Sequence, residues 1–315
     1  MKITVISHSL VHDRQRLFFD YMGRADIKVQ QVYPSTWGPL RRQDGFPVIF
    51  EGDIAHYAFT GEAFNRIDEF HPDLIYYQGE WWSEQAKVSL QWAKLLGSKF
   101  AIFCWENIHP VQYDFHKEIL RNADVVVCGN WEAVSIVKPY SKRIARIPQV
   151  GLDTDVLRPV DVEKKYDVLF KGRATPEKGI DYVTRVAQNL GLKLSLGDEY
   201  VEYRDLPRVY CSAKVFVMFS YATPEWKEQF NYAVIEALSC GLPVVASTSG
   251  SMPEWFGQAP QVIFVQERDE TGLERVLKQV FSRPIPKSEM GREWVKHTFS
   301  KEVIAPQLLE VFERL

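Results

Sequence analysis

The sequence has little cysteine, and its cysteines show no spacing that would make them structural. Four cysteines occur among 315 residues, each beside apolar or small residues, and no C-x-x-C pair is present. We therefore expect neither a disulfide framework nor a zinc site, and we predict a protein of a reducing compartment.

Long apolar runs and a charge excess are also missing. No stretch of 18 apolar residues occurs, which predicts no membrane-spanning helix, and the opening MKITVISHSL is too short in apolar residues for a signal peptide. Lys and Arg (38) nearly balance Asp and Glu (41), so nucleic acid is not an expected partner. We predict a cytoplasmic protein, with weak peripheral membrane contact left open by the aromatic and basic loop 34–42.

The residues that are present predict an α/β protein of two domains. Hydrophobic residues make up 46% and charged residues 25% of a chain that is about two domains long. Short apolar runs alternate with amphipathic segments, which is typical of parallel sheets covered by helices. The predicted strands are 3–7, 27–33, 73–77, 99–104, 124–128, 167–171, 193–196, 214–220, 243–246 and 262–265.

The alternation restarts near residue 150, after a linker at 147–159. We therefore predict two doubly wound Rossmann-like domains facing across a cleft, an acceptor-side domain over 1–148 and a donor-binding domain over 149–294. The tail from 290 to 315 is predicted to be helical and interrupted at Pro306. Its part 295–315, with apolar residues at helical spacing, is predicted to cross back to the first domain.

The most informative motif is EQFNYAVIEALSCGLP at 228–243. Phe230, Val234 and Leu238 recur every four residues, which predicts a helix with a buried stripe. Glu228 lies just before this helix and Glu236 within it, and eight residues at about 1.5 Å each separate the two by about 12 Å. That span matches a nucleotide-diphosphate sugar held at both ends; the alternative is two solvated glutamates beside a core helix.

This motif resembles the E-x7-E segment of the family-4 retaining glycosyltransferases, which have the GT-B fold. Residues 170–181, FKGRATPEKGID, resemble that family's Gly-Arg–x4–Lys-Gly segment. Residues 148–159 resemble its interdomain loop, and 206–220 the short helix and strand that precede the first glutamate. The resemblance is good over 145–265 and limited to general layout in the first half.

The resemblance implies roles for individual residues. Arg173 and Lys178 would neutralise the donor diphosphate, where fixed cations stabilise the charge that develops on the leaving group; the alternative is surface charges at a turn. Glu236 would bind the ribose, and Glu228 the sugar hydroxyls. The full predicted donor-binding set is Gly172, Arg173, Lys178, Gly197, Glu228, Phe230, Asn231, Tyr232 and Glu236.

Three segments depart from the family pattern. The usual Gly-Phe-Gly after the first glutamate is Gln-Phe-Asn at 229–231. The Gly-Gly loop after the first strand is replaced by SHSLVHD at 7–13, and the His-Asp after the fourth strand by CWENIHP at 104–110. The family's contacts from these three segments cannot be carried over to this chain.

Other candidate residues come from the ends of predicted strands in the first half. Glu106 is the first candidate for a catalytic group beside the reacting sugar, and His109 is the second, with capping of the next helix as the alternative. His8 and His12 follow the first strand and could face the acceptor or be ordinary loop residues. Trp81 and Trp82 could either stack on a sugar acceptor or pack between helices.

These observations predict a glycosyltransferase that moves a sugar from a UDP or GDP sugar to an acceptor hydroxyl with retention. The acceptor would be a saccharide, a glycolipid or a small molecule, and neither a metal nor a cofactor is expected. No covalent nucleophile can be named, which favours a front-face mechanism. The alternatives are a GT-B nucleotide-sugar epimerase and a catalytically silent nucleotide-sugar binding protein. A dehydrogenase is disfavoured because no G-x-G-x-x-G follows either first strand.

Overall fold

A computed structural model describes residues 1–23, 26–49, 54–110, 116–197, 200–285 and 289–315. The chain divides into two compact units: unit 1 is Met1–Gly151 with Ile304–Leu315, and unit 2 is Leu152–Val303. The domain boundaries predicted from the sequence were 148/149 and 294/295. The sequence also predicts a helix over 111–122, of which residues 111–115 lie outside the described residues.

Unit 1 is built on a six-stranded parallel sheet in the order β10-β9-β8-β7-β1-β2. Its central strands are buried at nearly every position, because helices cover both faces of such a sheet. The strands are β1 Lys2–Ile6, β2 Lys28–Val32, β3 Thr36–Trp37, β4 Leu40–Arg41, β5 Val48–Ile49, β6 Ala58–Phe59, β7 Leu74–Gln78, β8 Lys99–Cys104, β9 Val125–Cys128 and β10 Ile144–Arg146, with β3–β4 and β5–β6 forming two small antiparallel pairs.

Capping residues define the ends of two helices in unit 1. Ser83 accepts a hydrogen bond from the Ala86 amide at one helix start, and Gly97 ends that helix in the left-handed conformation. Asn130 caps another helix in the same way as Ser83. These helices are α1 Asp13–Met22, α2 Gly61–Phe70, α3 Glu84–Leu96, α4 Lys117–Asn122 and α5 Trp131–Val137.

Unit 2 is built on a five-stranded parallel sheet in the order β12-β11-β13-β14-β15. Its strands are β11 Tyr166–Leu169, β12 Leu194–Ser195, β13 Ala213–Met218, β14 Val244–Ser247 and β15 Val262–Val265. The helices of unit 2 are α6 Ile180–Asn189, α7 Leu206–Cys211, α8 Tyr232–Ser239, α9 Met252–Phe256, α10 Glu270–Phe281 and α11 Met290–Phe299. The last helix, α12 Lys301–Glu313, begins in unit 2 and belongs to unit 1 from Ile304 onward. Two Rossmann-like sheets of this kind confirm the predicted α/β class.

The last helix corrects one detail of the predicted tail. The break lies at Ser300, which is extended, and Pro306 is inside α12 rather than at an interruption. Pro306 is exposed, so water can satisfy the carbonyl that loses its donor. Phe312 contacts Tyr76 of unit 1 at a ring separation of 4.9 Å, and both residues are buried.

No helix within the described ranges is both long and apolar enough to cross a membrane. All four cysteines are buried free thiols.

Candidate functional site

The strand order of unit 2 locates a ligand position at one point of its sheet. The chain leaves β11 for β12 on one side and returns to β13 on the other. Loops that follow two such strands diverge at their carboxyl ends and leave a crevice there, where ligands of open α/β sheets bind. The loop after β11 carries Gly172 and Arg173, and the segment after β13 leads to Glu228.

A buried ion pair lies in these loops. The Lys178 Nζ is 2.9 Å from Glu228 Oε2 and 3.1 Å from its Oε1, and the Ser220 hydroxyl donates to Oε2 at 2.8 Å. The Glu228 residue is 3% exposed and the Lys178 side chain 11% exposed. Fifty residues of sequence separate the two charges, and the fold brings them together.

Two glycines allow the backbone to approach this pair closely. Gly179 has φ +75°, and a Cβ there would lie 1.9 Å from the Phe219 carbonyl oxygen. Gly250 has φ +53°, and a Cβ there would lie 2.0 Å from the carbonyl oxygen of Glu228. Any other residue at either position would be strained and would displace the segment that holds Glu228.

The side chain of Asn231 caps the N-terminus of α8. The Asn231 side-chain oxygen accepts from the Val234 amide at 3.3 Å, and Asn231 is 5% exposed. The usual glycine of the family at position 231 would leave the Val234 amide available to a ligand. Here the Asn231 side chain already accepts from that amide. Phe230 is buried in an aromatic cluster with Tyr232, Trp255, Phe256 and Phe299.

Glu236 lies within α8 and is also buried, at 3% exposure. Its Oε2 accepts a hydrogen bond of 2.6 Å from the Tyr210 hydroxyl. Burial of both glutamates excludes the alternative that they are solvated groups on a helix surface. A buried carboxylate requires partners, and each of these two has at least one strong donor.

The remaining predicted donor residues are more open. Arg173 is exposed, and Gly172 packs near Met218 and Phe170. Gly197 has φ +53°, and its carbonyl accepts from Lys171 Nζ at 3.1 Å. The exposed Arg173 guanidinium therefore lies in the loop after β11 and can contact an anion at little desolvation cost.

Unit 1 has a corresponding switch point between β1 and β7. His8, directly after β1, stacks on Trp37 at a centroid distance of 4.7 Å and meets Tyr57 edge-on at 5.7 Å. Burial lowers the pKa of His8 to about 4, so its imidazole is neutral at neutral pH. The hydroxyl of Tyr77, at the end of β7, is hydrogen-bonded to the hydroxyl of Tyr57 at 3.1 Å.

Two buried carboxyl groups follow β7 and β8 at the same edge of this sheet. The Cys104 thiol donates to Glu106 Oε2 at 2.7 Å, and burial raises the pKa of Glu106 to about 7. Burial also raises the pKa of Glu80 to about 7, and its Oε2 is buried without a hydrogen-bond donor in the described part of the chain. The negative charge of Glu80 also raises the pKa of Glu106, which indicates that the two carboxyl groups are close.

The other predicted residues of unit 1 are spread over this region. His109 and Trp82 are half-buried and His12 is exposed. Trp81 is fully buried in the core, which agrees with packing rather than acceptor stacking. Glu80 was missed in the sequence, although a carboxylate two residues after a buried strand is the same signal that singled out Glu106.

The two raised carboxyl pKa values predict how stability depends on pH. Between the unfolded value near 4.5 and the folded value of about 7, the folded protein binds more protons than the unfolded chain. The free energy of unfolding should therefore fall as pH rises through this window. Urea unfolding at several pH values should show that the free energy of unfolding falls less steeply with pH in Glu106→Gln than in the wild type. Glu118→Gln, at an exposed glutamate of α4, is the control; equal profiles for all three proteins would contradict the prediction.

Among the described residues, no group of three or more His, Cys, Asp or Glu side chains could hold a metal ion. Lys178, Arg173 and Glu228 are charged residues of the loops at the unit 2 switch point.

Known glycosyltransferases resemble this chain in sequence and in fold. Residues 185–283 match the family described as glycosyl transferases group 1. The O-antigen chain mannosyltransferase B of Escherichia coli is 33% identical over 104 residues, which are 33% of this chain and 26% of that protein. The chain spans about a quarter to a half of the length of the curated relatives it matches.

Solved structures resemble the whole chain. A sucrose-phosphate synthase from Thermosynechococcus elongatus superposes with a TM-score of 0.71 at 18% identity, over 100% of this chain and 98% of that one. The Anabaena HepE protein, solved with UDP and glucose, superposes with a TM-score of 0.70 at 14% identity over 100% of both chains. These matches confirm the predicted resemblance to GT-B glycosyltransferases.

Proposed function

We propose that this chain, which is similar to group 1 glycosyltransferases and has their fold, transfers a sugar from a nucleotide-diphosphate sugar to an acceptor hydroxyl. The observation that carries the proposal is the buried Lys178–Glu228 pair in the switch-point loops of unit 2. Such a pair places a cation for phosphate oxygens beside a carboxylate that accepts from sugar hydroxyls.

Unit 2 would bind the donor. Arg173 and Lys178 would contact the diphosphate, whose negative charge grows as the sugar leaves, so the two cations favour the transition state over the bound donor. Glu228 would accept from hydroxyls of the transferred sugar, and Glu236 from the ribose. UDP sugars are the first donors to test, because a structural neighbour was solved with UDP and glucose.

Unit 1 would bind the acceptor, a saccharide, a glycolipid or a small molecule. The half-buried ring of Trp37, which stacks on His8, would suit the apolar face of a sugar. Glu106, whose pKa burial raises to about 7, would in its ionised form accept a hydrogen bond from the acceptor hydroxyl and orient it. We propose retention by a front-face route in which a donor phosphate oxygen takes the proton of the acceptor.

Three further properties belong to the same proposal. Reaction without a metal follows if Arg173 and Lys178 supply the countercharge for the diphosphate. The donor is then a substrate, and no resident cofactor is needed. A cytoplasmic location, with weak contact to a membrane that carries a lipid-linked acceptor, agrees with the basic loop that contains Arg41 and Arg42.

The proposal is tested by calorimetric titration with UDP, GDP and ADP and with their sugar conjugates. We expect one base to bind best, its nucleoside diphosphate and its sugar conjugate both to bind, and binding to persist in EDTA. Arg173→Ala and Lys178→Ala should weaken both ligands. Absence of binding for every nucleotide would overturn the proposal.

A further inference from the structure

The segment between β13 and Glu228 contains an aromatic residue for which the proposed function has no role. Trp226 lies in a turn in which its amide donates to Thr223 Oγ1 at 3.0 Å and its carbonyl accepts from the Thr223 amide at 2.7 Å. The turn fixes the backbone of Trp226 two residues before Glu228. Its indole is half-buried and its ring covers Lys178, with Nζ 4.5 Å from the ring centroid.

The Lys178 ammonium is thus attracted by two groups of different character. Glu228 offers a full negative charge at 2.9 Å, whereas Trp226 offers the face of a neutral aromatic ring. A carboxylate competes with an incoming phosphate for the same ammonium protons. The aromatic face attracts the cation without presenting a competing anion, so its hold on Lys178 is compatible with a bound diphosphate.

From this geometry we infer that Trp226 is a positioning residue that keeps the Lys178 ammonium in place for the donor diphosphate when Glu228 turns to the sugar hydroxyls. The inference rests on the proposed function, since it assumes a diphosphate ligand at Lys178. The Lys178 and Glu228 side chains are only 11% and 5% exposed, so the attraction between their charges is stronger than it would be in water.

The same segment contains a matched control. Tyr221 carries Arg268 over its ring, also at 4.5 Å from the centroid, and both aromatic residues are half-buried. Removing the Tyr221 ring deletes a cation–π contact of similar geometry that does not involve Lys178. A general disturbance of the segment would affect both variants alike.

The experiment compares Trp226→Phe, Trp226→Leu and Tyr221→Ala with the wild type. Phe and Leu both keep an apolar side chain, and only Phe keeps an aromatic face, so the pair is informative even if alanine at this position prevents folding. Affinity is measured by calorimetry for the best-binding nucleoside diphosphate of UDP, GDP and ADP, and for its nucleoside monophosphate. Turnover and melting temperature are recorded alongside.

We expect Trp226→Leu to bind the diphosphate about threefold to thirtyfold more weakly, with a smaller effect on the monophosphate and a lower kcat. Trp226→Phe should recover most of the loss, and Tyr221→Ala should match the wild type. Equal affinities for Phe and Leu variants, or an equal loss in Tyr221→Ala, would overturn the positioning role. A wild type that binds no nucleotide would overturn the proposed function instead.

Discussion

Replacing Glu228 with alanine is expected to lower sugar transfer roughly a hundredfold without weakening the binding of nucleoside diphosphate. A hydrogen bond from a ligand to a charged group contributes about 1.5–3 kcal/mol, and its loss in the transition state lowers kcat. The nucleoside diphosphate lacks the sugar that Glu228 would contact. Loss of the carboxylate also releases Lys178 from its partner at 2.9 Å, so diphosphate affinity should be unchanged or higher.

Glu228→Gln separates the charge from the shape. In the wild type, the Ser220 hydroxyl donates to Glu228 Oε2 at 2.8 Å. The amide oxygen of the glutamine can still accept this hydrogen bond, but the charge attraction to Lys178 is lost. If the carboxylate charge is needed for transfer, this variant should be nearly as slow as the alanine variant. Nucleotide affinity, turnover and melting temperature should be measured together. Full activity in Glu228→Ala would remove Glu228 from the donor site.

Replacing Lys178 with alanine should weaken diphosphate binding by about tenfold to a hundredfold and also destabilise the fold. The binding loss corresponds to one charged hydrogen bond. The stability loss arises because Glu228, 3% exposed, would keep a buried charge without its cation. Breaking a buried pair in this way typically costs about 3–5 kcal/mol of the free energy of unfolding.

Arg173→Ala is the matched control for Lys178→Ala. Arg173 is exposed, so its removal leaves no buried charge behind. We expect weaker diphosphate binding in both variants and a lower melting temperature in Lys178→Ala alone. Unchanged affinity for UDP, GDP and their sugars in both variants would exclude the two cations from diphosphate binding.

The strand and helix alternation was readable in the sequence because buried parallel strands are continuous apolar runs. The strand 99–104 was predicted with the bounds that the structure shows. The two-residue strands β3 to β6 were not predicted, since two residues carry no period. The sequence predicts a break at Pro306, although an exposed helix position tolerates proline.

The candidate site was predictable only as separate motifs. The sequence showed Glu228 after a strand and Lys178 in a turn, and the resemblance gave both a ligand role. That they bond to each other depends on β11 and β13 being neighbours, which no local pattern states. The cap formed by Asn231 and the approach of Trp226 to Lys178 likewise depend on backbone positions that only the fold defines.

The central claim is that this chain transfers sugars with the Lys178–Glu228 pair. The most direct measurement follows nucleoside diphosphate release and product mass with the best-binding donor and a panel of saccharide, glycolipid and small-molecule acceptors, for wild type and Glu228→Gln. We predict equal amounts of glycosylated product and nucleoside diphosphate from the wild type, and a release rate roughly a hundredfold lower from Glu228→Gln. An isomerised donor without acceptor, no release from a bound donor with any acceptor, or undiminished release from Glu228→Gln would contradict the account.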